Sequence, residues 1–233
     1  MISVFDMFSV GIGPSSSHTV GPMNAAAEFV DELKRQQLIN RVTHLTTELF
    51  GSLGQTGKGH GSGKAVILGL LGERPETVDV DSIDTRLADI DTNESLNLGG
   101  EKSIRFPRTK AIVFHRRKTL PRHANAMTLH AFDGENLLLS QTYYSIGGGF
   151  IVRDDQWDVA RQEAKQISST VPFSFHTANQ LLSLCKEQGL SISALMLKNE
   201  QALHPGKDIK TRLQELWMTM DACIERGIES EGI

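Results

Sequence analysis

Apolar residues recur along this chain in two rhythms. Ala25, Ala26, Phe29, Val30 and Leu33 fall three and four positions apart, the spacing of one helical face, and predict an amphipathic helix over Met23–Arg35. Val66, Ile67, Leu70 and Leu71 lie in a run with few polar residues, which suits a mostly buried helix over 64–71. Ser82–Asp91 reads as a short acidic helix with Ser82 as its cap. The other rhythm is that of strands. Arg41–Phe50, rich in Thr, Leu and Val, reads as a strand, and Lys110–His115 is a β-rich run. Met127, Leu129 and Ala131 alternate with Thr128 and His130, and Asp133-Gly134 supplies a hairpin turn into Leu137–Ser145. Gly147-Gly148-Gly149 breaks that strand before Phe150-Ile151-Val152.

From Phe173 onward the pattern is wholly helical. Leu181, Leu182, Leu184 and Cys185 form one face, with Gly189 placed for a C-terminal cap. Ser191 is positioned to cap a second helix that stops near His204-Pro205, and Ile209, Leu213, Leu216, Trp217, Met220 and Ile224 make a third stripe ending at Gly227. The fold class expected is α+β. Residues 1–153 would form an antiparallel sheet with helices packed on it, 154–172 a linker or solvated helix, and 173–233 an all-α segment. The last three helices carry more apolar face than they can bury among themselves, so they read as the start of a second domain, incomplete here.

Two loops carry the chemistry. Gly11-Ile12-Gly13-Pro14-Ser15-Ser16-Ser17-His18-Thr19 precedes Gly21-Pro22 and the first helix; Gly57-Lys58-Gly59-His60-Gly61-Ser62-Gly63 precedes the second. A helix N-terminus leaves N–H groups unpaired and carries partial positive charge, so it attracts a carboxylate or phosphate. Glycines allow close approach of main chain to ligand, and each loop adds one histidine able to move a proton. Taken singly, His18 and His60 also read as surface or hydrogen-bonded structural residues; their matching contexts favour a shared site for a small acid. One hydroxyl of Ser15-Ser16-Ser17 is expected to cap the helix, and Ser17 beside His18 lacks a visible third member of a nucleophilic triad. The three glycines at 147–149 imply close approach of backbone either to another strand or to a ligand.

Composition removes several function classes. The chain has 233 residues, 39% hydrophobic and 22% charged with net charge −4, which gives no hint of a nucleic-acid partner. Its longest apolar run, Ala65–Leu71, is too short to cross a bilayer, and Met1–Phe8 lacks a basic segment and carries Asp6, so no signal peptide is read. No membrane partner and a cytoplasmic location are expected. Cys185 and Cys223, outside any CxxC pair, do not read as a disulfide framework or a zinc site built from these alone, and they are too few for a Cys-ligated iron–sulfur cluster in this chain. The basic run Arg105, Arg108, Lys110, Arg116, Arg117, Lys118 and Arg122 reads as a solvated hairpin edge. Neither glycine loop satisfies the Walker spacing or GxGxxG, which leaves a phosphate-binding enzyme as a weak reading.

The string Ile12-Gly13-Pro14-Ser15-Ser16-Ser17-His18-Thr19-Val20-Gly21-Pro22, the 57–63 loop and Tyr144-Ser145-Ile146-Gly147-Gly148-Gly149-Phe150 together resemble the N-terminal part of bacterial iron–sulfur L-serine dehydratases. Residues 173–233 resemble the opening helices of that family's catalytic domain. His123-Ala124-Asn125 stands where the family pattern has His-Pro-Asn, a change that costs turn rigidity more than chemistry. The resemblance implies removal of the β-hydroxyl and α-proton of L-serine to give aminoacrylate, then pyruvate and ammonia. It implies a [4Fe–4S] cluster for the full enzyme, whose three cysteines lie beyond residue 233, so the chain looks like a truncated enzyme or one subunit of a split one. No lysine sits in a recognisable pyridoxal-phosphate motif, and that cofactor is not expected. His18 and His60 become catalytic candidates, as base and proton shuttle in either order. The substrate-binding set is Ser15, Ser16, Ser17, Thr19, Gly59, Gly61, Ser62, Asn125, Ser145, Gly147, Gly148 and Gly149, helped by backbone donors at Gly21-Pro22. The implied partners are L-serine, the remainder of the catalytic domain and a second copy in a homodimer. A non-catalytic module binding a small amino or hydroxy acid is the alternative.

Overall fold

The alternating runs at 44–50 and 125–133 pair with each other in the interior of a five-stranded sheet. In the computed structural model, which describes residues 3–160 and 171–231, this sheet belongs to the unit Gly11–Trp157. A second unit joins Met1–Val10 to Asp158–Ile233. Residues 161–170 of the expected linker lie outside the described residues.

In chain order, α1 (Val4–Met7) is followed by a wide turn at Ser16–Val20 that runs into α2 (Gly21–Arg35). Then come β1 (His44–Phe50), α3 (Gly51–Thr56), α4 (Ser62–Leu70), α5 (Ile83–Asn93) and the hairpin β2 (Ser95–Leu98)–β3 (Lys102–Arg105). The turn α6 (Arg108–Ala111), β4 (Ile112–Phe114), β5 (Asn125–Asp133), β6 (Asn136–Gly147) and β7 (Phe150–Arg153) complete the larger unit. The main sheet runs β4-β1-β5-β6-β7, an α+β arrangement. Its pairs are antiparallel except β1–β4, where Thr47 stands opposite Ile112 in parallel. The expectation of a wholly antiparallel sheet is corrected at this edge. The chain between β1 and β4 is long enough to make the crossover that a parallel pair requires.

Alternation decides which face is buried. Leu45, Leu49, Met127, Leu129, Ala131 and Tyr143 point to one side, where Phe29, Val30 and Leu33 of α2 and Val66, Ile67 and Leu70 of α4 cover them. Each such fully buried large apolar side chain contributes about 1.5–3 kcal/mol. Glu48, His115 and His130 meet on the opposite side of the sheet, the carboxylate bridging both rings at 2.6 and 3.2 Å. Element ends move slightly from the sequence reading. Ser82 precedes α5 but makes no side-chain cap, because its hydroxyl donates to Asp79 O at 2.9 Å. The run 110–115 extends only from Ile112, since the residues after Pro107 close a helical turn.

The second unit holds α7 (Ala178–Gln188), α8 (Ile192–Leu203) and α9 (Ile209–Glu229). Ser191 caps α8 by accepting from Ala194 N, and Gly189 ends α7 in the left-handed conformation. The first residues of the chain are bound here too. Ser3 Oγ donates to Glu200 Oε2 at 2.7 Å, and Val4 N donates to Glu200 Oε1 at 2.9 Å. Arg212 lies 3.6 Å over the Phe5 ring, and His204 packs edge-on against it. A buried carboxylate needs such donors, since each lost partner leaves a desolvated charge. Ser3→Ala is therefore expected to destabilise the helical unit by about 1–3 kcal/mol, read as a lower thermal midpoint by circular dichroism; an unchanged midpoint would show that Glu200 is satisfied without this hydroxyl.

Candidate active site

The site begins with an offset in the helical ladder. Ser15 caps the helix, its Oγ accepting from His18 N at 3.2 Å. Thr19 N and Val20 N both donate to Ser15 O, and Gly21 N reaches back to Ser16 O, one residue further than an α-helix allows. Pro22 has no N–H to offer His18 O. The carbonyls of Ser17 and His18 are thus released from the ladder. Ser145 Oγ on β6 donates to the first at 2.8 Å, and Ser62 Oγ at the head of α4 donates to the second. Both serines are buried, at 2% and 0% exposure. A Cβ on Gly21 would stand 2.1 Å from Ser145 Oγ, so only glycine admits this contact.

Thr19 completes the brace. Its Oγ1 donates to His60 O at 2.8 Å and accepts from Ser15 N at 3.3 Å, which ties the two glycine loops together. The backbone donors expected at Gly21-Pro22 are corrected, because Gly21 N is spent within the wide turn. The open amides at this helix head are those of Ser16 and Ser17, which have no intramolecular partner among the described residues.

The two histidines stand side by side, ring centroids 4.9 Å apart and planes tilted by 56°. His60 is exposed and His18 half-buried. Ser17 Oγ lies 2.9 Å from His18 Nδ1 and Ser52 Oγ 3.0 Å from Nε2. Burial pushes the His18 pKa down, the neighbouring His60 pushes it further, and a hydrogen bond to the Ser52 backbone opposes part of the shift. His18 is accordingly neutral at pH 7 and able to accept a proton.

A cleft of about 480 Å³ opens beside His60, lined also by Pro14, Thr19, Lys58, Lys64 and Asp84. Lys64 is paired with Asp84 at 3.1 Å. Lys58 lies 5.6 Å over the Phe114 ring and carries no ion pair among the described residues. Gly59 and Gly61 line the cleft as main chain, and Gly61 starts α4 in the left-handed region. Asn125 is next to the site through Nδ2, which donates to Ser145 O at 3.3 Å. Gly147, Gly148 and Gly149 have φ of 104°, 61° and 83° and form the tight turn between β6 and β7. Nothing lies within 4 Å of a Cβ built on Gly147, so backbone conformation rather than space explains glycine there. Asn24 Nδ2 donates to Gly149 O at 3.0 Å, which fixes the turn to α2.

Lys58 and Ser52 were not among the sequence candidates. Lys58 stood in the quoted loop, but nothing in its spacing marked it as unpaired. Ser52 gave no local signal, since its proximity to His18 arises only when β1 and α2 pack. For a metal the donor set is poor: among the described residues no group of three or more His, Cys, Asp or Glu side chains is arranged to hold an ion. Cys185 on α7 is half-buried and Cys223 on α9 exposed, both free. These two thiols do not fit a four-iron cluster. Among the described residues, no helix is long and apolar enough to cross a membrane.

A family model described as serine dehydratase beta chain matches residues 3–156. The chain is 49% identical to an L-serine dehydratase of Streptomyces coelicolor, over all of this chain and 51% of that protein. It is 47% identical to L-serine dehydratase 1 of Escherichia coli strain K12, over all of this chain and 50% of that protein. An L-serine dehydratase of Haemophilus influenzae is 43% identical over the same shares. The chain therefore spans about half the length of the curated relatives it matches.

Two outcomes test this geometry. Gly21→Ala forces Ser145 off the Ser17 carbonyl and is expected to cost about 1–3 kcal/mol, measured by chemical denaturation. The lowered His18 pKa also sets a pH dependence. Below about pH 6.5 the unfolded chain binds this proton more readily than the folded one, so His18 lowers stability as pH falls through that range and contributes nothing above it. Stability measured at pH 5.5 and 7.5 is expected to fall less on acidification in His18→Asn than in the parent; an equal fall contradicts the shift.

Proposed function

This chain belongs to the serine dehydratase beta chain family, and we propose that it supplies the proton-handling and acid-binding half of an L-serine dehydratase. The observation that supports this reading is the pairing of His18 with His60, which lines a cleft that also holds Lys58, a cation with no ion pair among the described residues. L-serine loses its α-proton and β-hydroxyl as water, giving aminoacrylate, whose imine tautomer takes water back and releases ammonia and pyruvate. The α-proton is weakly acidic, so a neutral base held at the carbon is required. In this reading the substrate carboxylate is gripped by Lys58 and the amides of Ser16 and Ser17, with the Ser16 and Ser17 hydroxyls facing the ammonium or hydroxyl end. Ser15, Thr19, Ser62 and Ser145 act at one remove, since their hydroxyls are spent on the loops themselves. Asn125 and the Gly147–Gly149 turn shape the flank.

His18 and His60 share the proton work. Burial and the neighbouring His60 lower the His18 pKa, which favours its neutral form as the proton acceptor. The homodimer, the cytoplasmic location and the [4Fe–4S] cluster implied by the motif resemblance are part of the same proposal. The thiolates for that cluster come from residues outside this chain, because the donors within it do not fit one; when bound, such a cluster supplies a Lewis-acidic iron. The region 173–233 is proposed as part of the domain that carries it.

In the full-length, cluster-loaded enzyme, His18→Ala and His60→Ala are each expected to lower kcat by about 10²–10⁴-fold, and Lys58→Met to raise KM for L-serine with a smaller effect on kcat. Near-normal turnover in both histidine variants would refute the assignment. Tight calorimetric binding of L-serine to this 233-residue chain, combined with such turnover, would favour a regulatory ligand-binding module instead.

A further inference from the structure

A cavity of about 610 Å³ lies against the 57–63 loop and is lined by Lys58, Lys64, Arg108 and Arg116. No carboxylate is among its described lining residues, although the chain as a whole has net charge −4. Four cations around one space repel one another and draw anions toward it. Two of the four are matched: Lys64 pairs with Asp84 at 3.1 Å and Arg108 with Asp91 at 2.9 Å. Lys58 and Arg116 carry no ion pair among the described residues, so two positive charges stand uncompensated. Resting on the function proposed above, we propose that this cavity is an effector site for a small anion bearing two or more negative charges, whose binding engages Lys58 and so weakens the hold on L-serine.

The cations are mounted on firm structure. Ile112 and Phe114 stand two positions apart on β4 and share one side of the strand. A Cβ on Gly63 would lie 3.4 Å from Phe114 Cζ and 3.9 Å from Ile112 Cδ1, which puts the strand in van der Waals range of the first turn of α4. Arg108 and Arg116 flank β4 on either side, and Lys58 and Lys64 flank the left-handed Gly61 in the same way. The basic run that reads as a solvated edge thus sends two of its arginines into this cavity. Each arginine presents a planar fork of donors that matches a pair of phosphate or carboxylate oxygens, and each lysine adds a point charge. The N-terminal end of α4, where Gly61 and Gly63 line the same space, adds partial positive charge.

Shared residues connect this cavity to the catalytic cleft. Lys58, Gly61 and Lys64 line both it and the 480 Å³ cleft beside His60. Lys58 Nζ lies 5.6 Å over the Phe114 ring, and Phe114 lines the basic cavity but not the cleft. One ammonium is therefore within reach of two ligands, a substrate carboxylate on one side of the loop and a polyanion on the other. An anion that holds Lys58 together with Arg116 withholds it from the substrate. By linkage, bound L-serine weakens the anion by the same factor.

Binding is read first, without turnover. Calorimetric titration of the 233-residue chain with citrate and with pyrophosphate is expected to show saturable one-site binding that weakens as salt is raised, with the monoanion acetate showing none. Binding of citrate alone or of pyrophosphate alone assigns the anion to a polycarboxylate or a phosphate source; binding of neither overturns the proposal. Arg116→Ala is expected to weaken binding about tenfold, and Arg117→Ala, which does not line the cavity, to leave it unchanged. An equal loss in both variants would report general surface charge and overturn the site. In the full-length enzyme the anion is expected to raise KM for L-serine about 5–10-fold with kcat little changed. Arg116→Ala, with normal kinetics in the absence of the anion, should need about tenfold more of it for the same effect. Inhibition of equal strength in the parent and in Arg116→Ala would overturn the effector role, as would a KM unmoved by saturating anion. Because the calorimetry is independent of turnover, the site can stand while the proposed reaction fails, and the reverse.

Discussion

An α-helix starting in regular register at Ser16 would spend the carbonyl of Ser17 on Gly21 N. Here the wide turn at Ser16–Val20 shifts that bond back by one residue, and Pro22 has no hydrogen for the carbonyl that follows. Two acceptors are freed at the point where α2, α4 and β6 converge, and buried serines from α4 and β6 take them. The rest of the site depends on this. The offset brings the loop of His60 against the loop of His18 and leaves the amides of Ser16 and Ser17 facing outward. A glycine at 21 is the steric condition for it, since a side chain there would occupy the place of the Ser145 hydroxyl.

Around that brace stand a sheltered imidazole, His18, and an exposed one, His60. Shelter lowers the basicity of His18, while His60 is exposed and lines the cleft. The sheet contributes rigidity more than reactive groups. Its interior strands β1 and β5 are covered on one face by α2 and α4, and the end of β1 delivers Ser52 to the ring of His18. On the other face, Glu48 is drawn in two directions. Burial pushes its pKa up, but the hydrogen bonds from His115 and His130 more than offset this and hold it below the usual carboxylate range.

Much of the fold was legible because it follows from period. The stripe from Ala25 to Leu33 and the alternation from Met127 to Ala131 each reflect one buried face, and such faces are written locally. Caps at Ser191 and Gly189 were legible for the same reason. What escaped depends on distant partners. The parallel β1–β4 pair depends on where a long crossover returns. The true head of α2 was hidden because Pro22 is a good helix-start residue, and only the contacts of Ser145 and Ser62 show why the ladder begins earlier. That His18 and His60 come together could be read from two similar loops. That Ser15, Thr19, Ser62 and Ser145 are braces could not, because a serine in a sequence carries no sign of what its hydroxyl will meet.

The attachment of Ser3 to Glu200 closes a span of 197 residues, and the whole unit Gly11–Trp157 lies between the two segments so joined. In topological terms the sheet-bearing unit is an insertion within the helical one. The inserted unit is formed from contiguous residues, whereas Ser3 and Val4 find their partner only in α8. The entropy of closing so long a loop grows only slowly with length, and an already folded insert shortens the effective distance to be closed. Connectivity thus sets the two units apart: Gly11–Trp157 is contiguous in sequence, whereas the helical unit is closed by contacts between segments on either side of it.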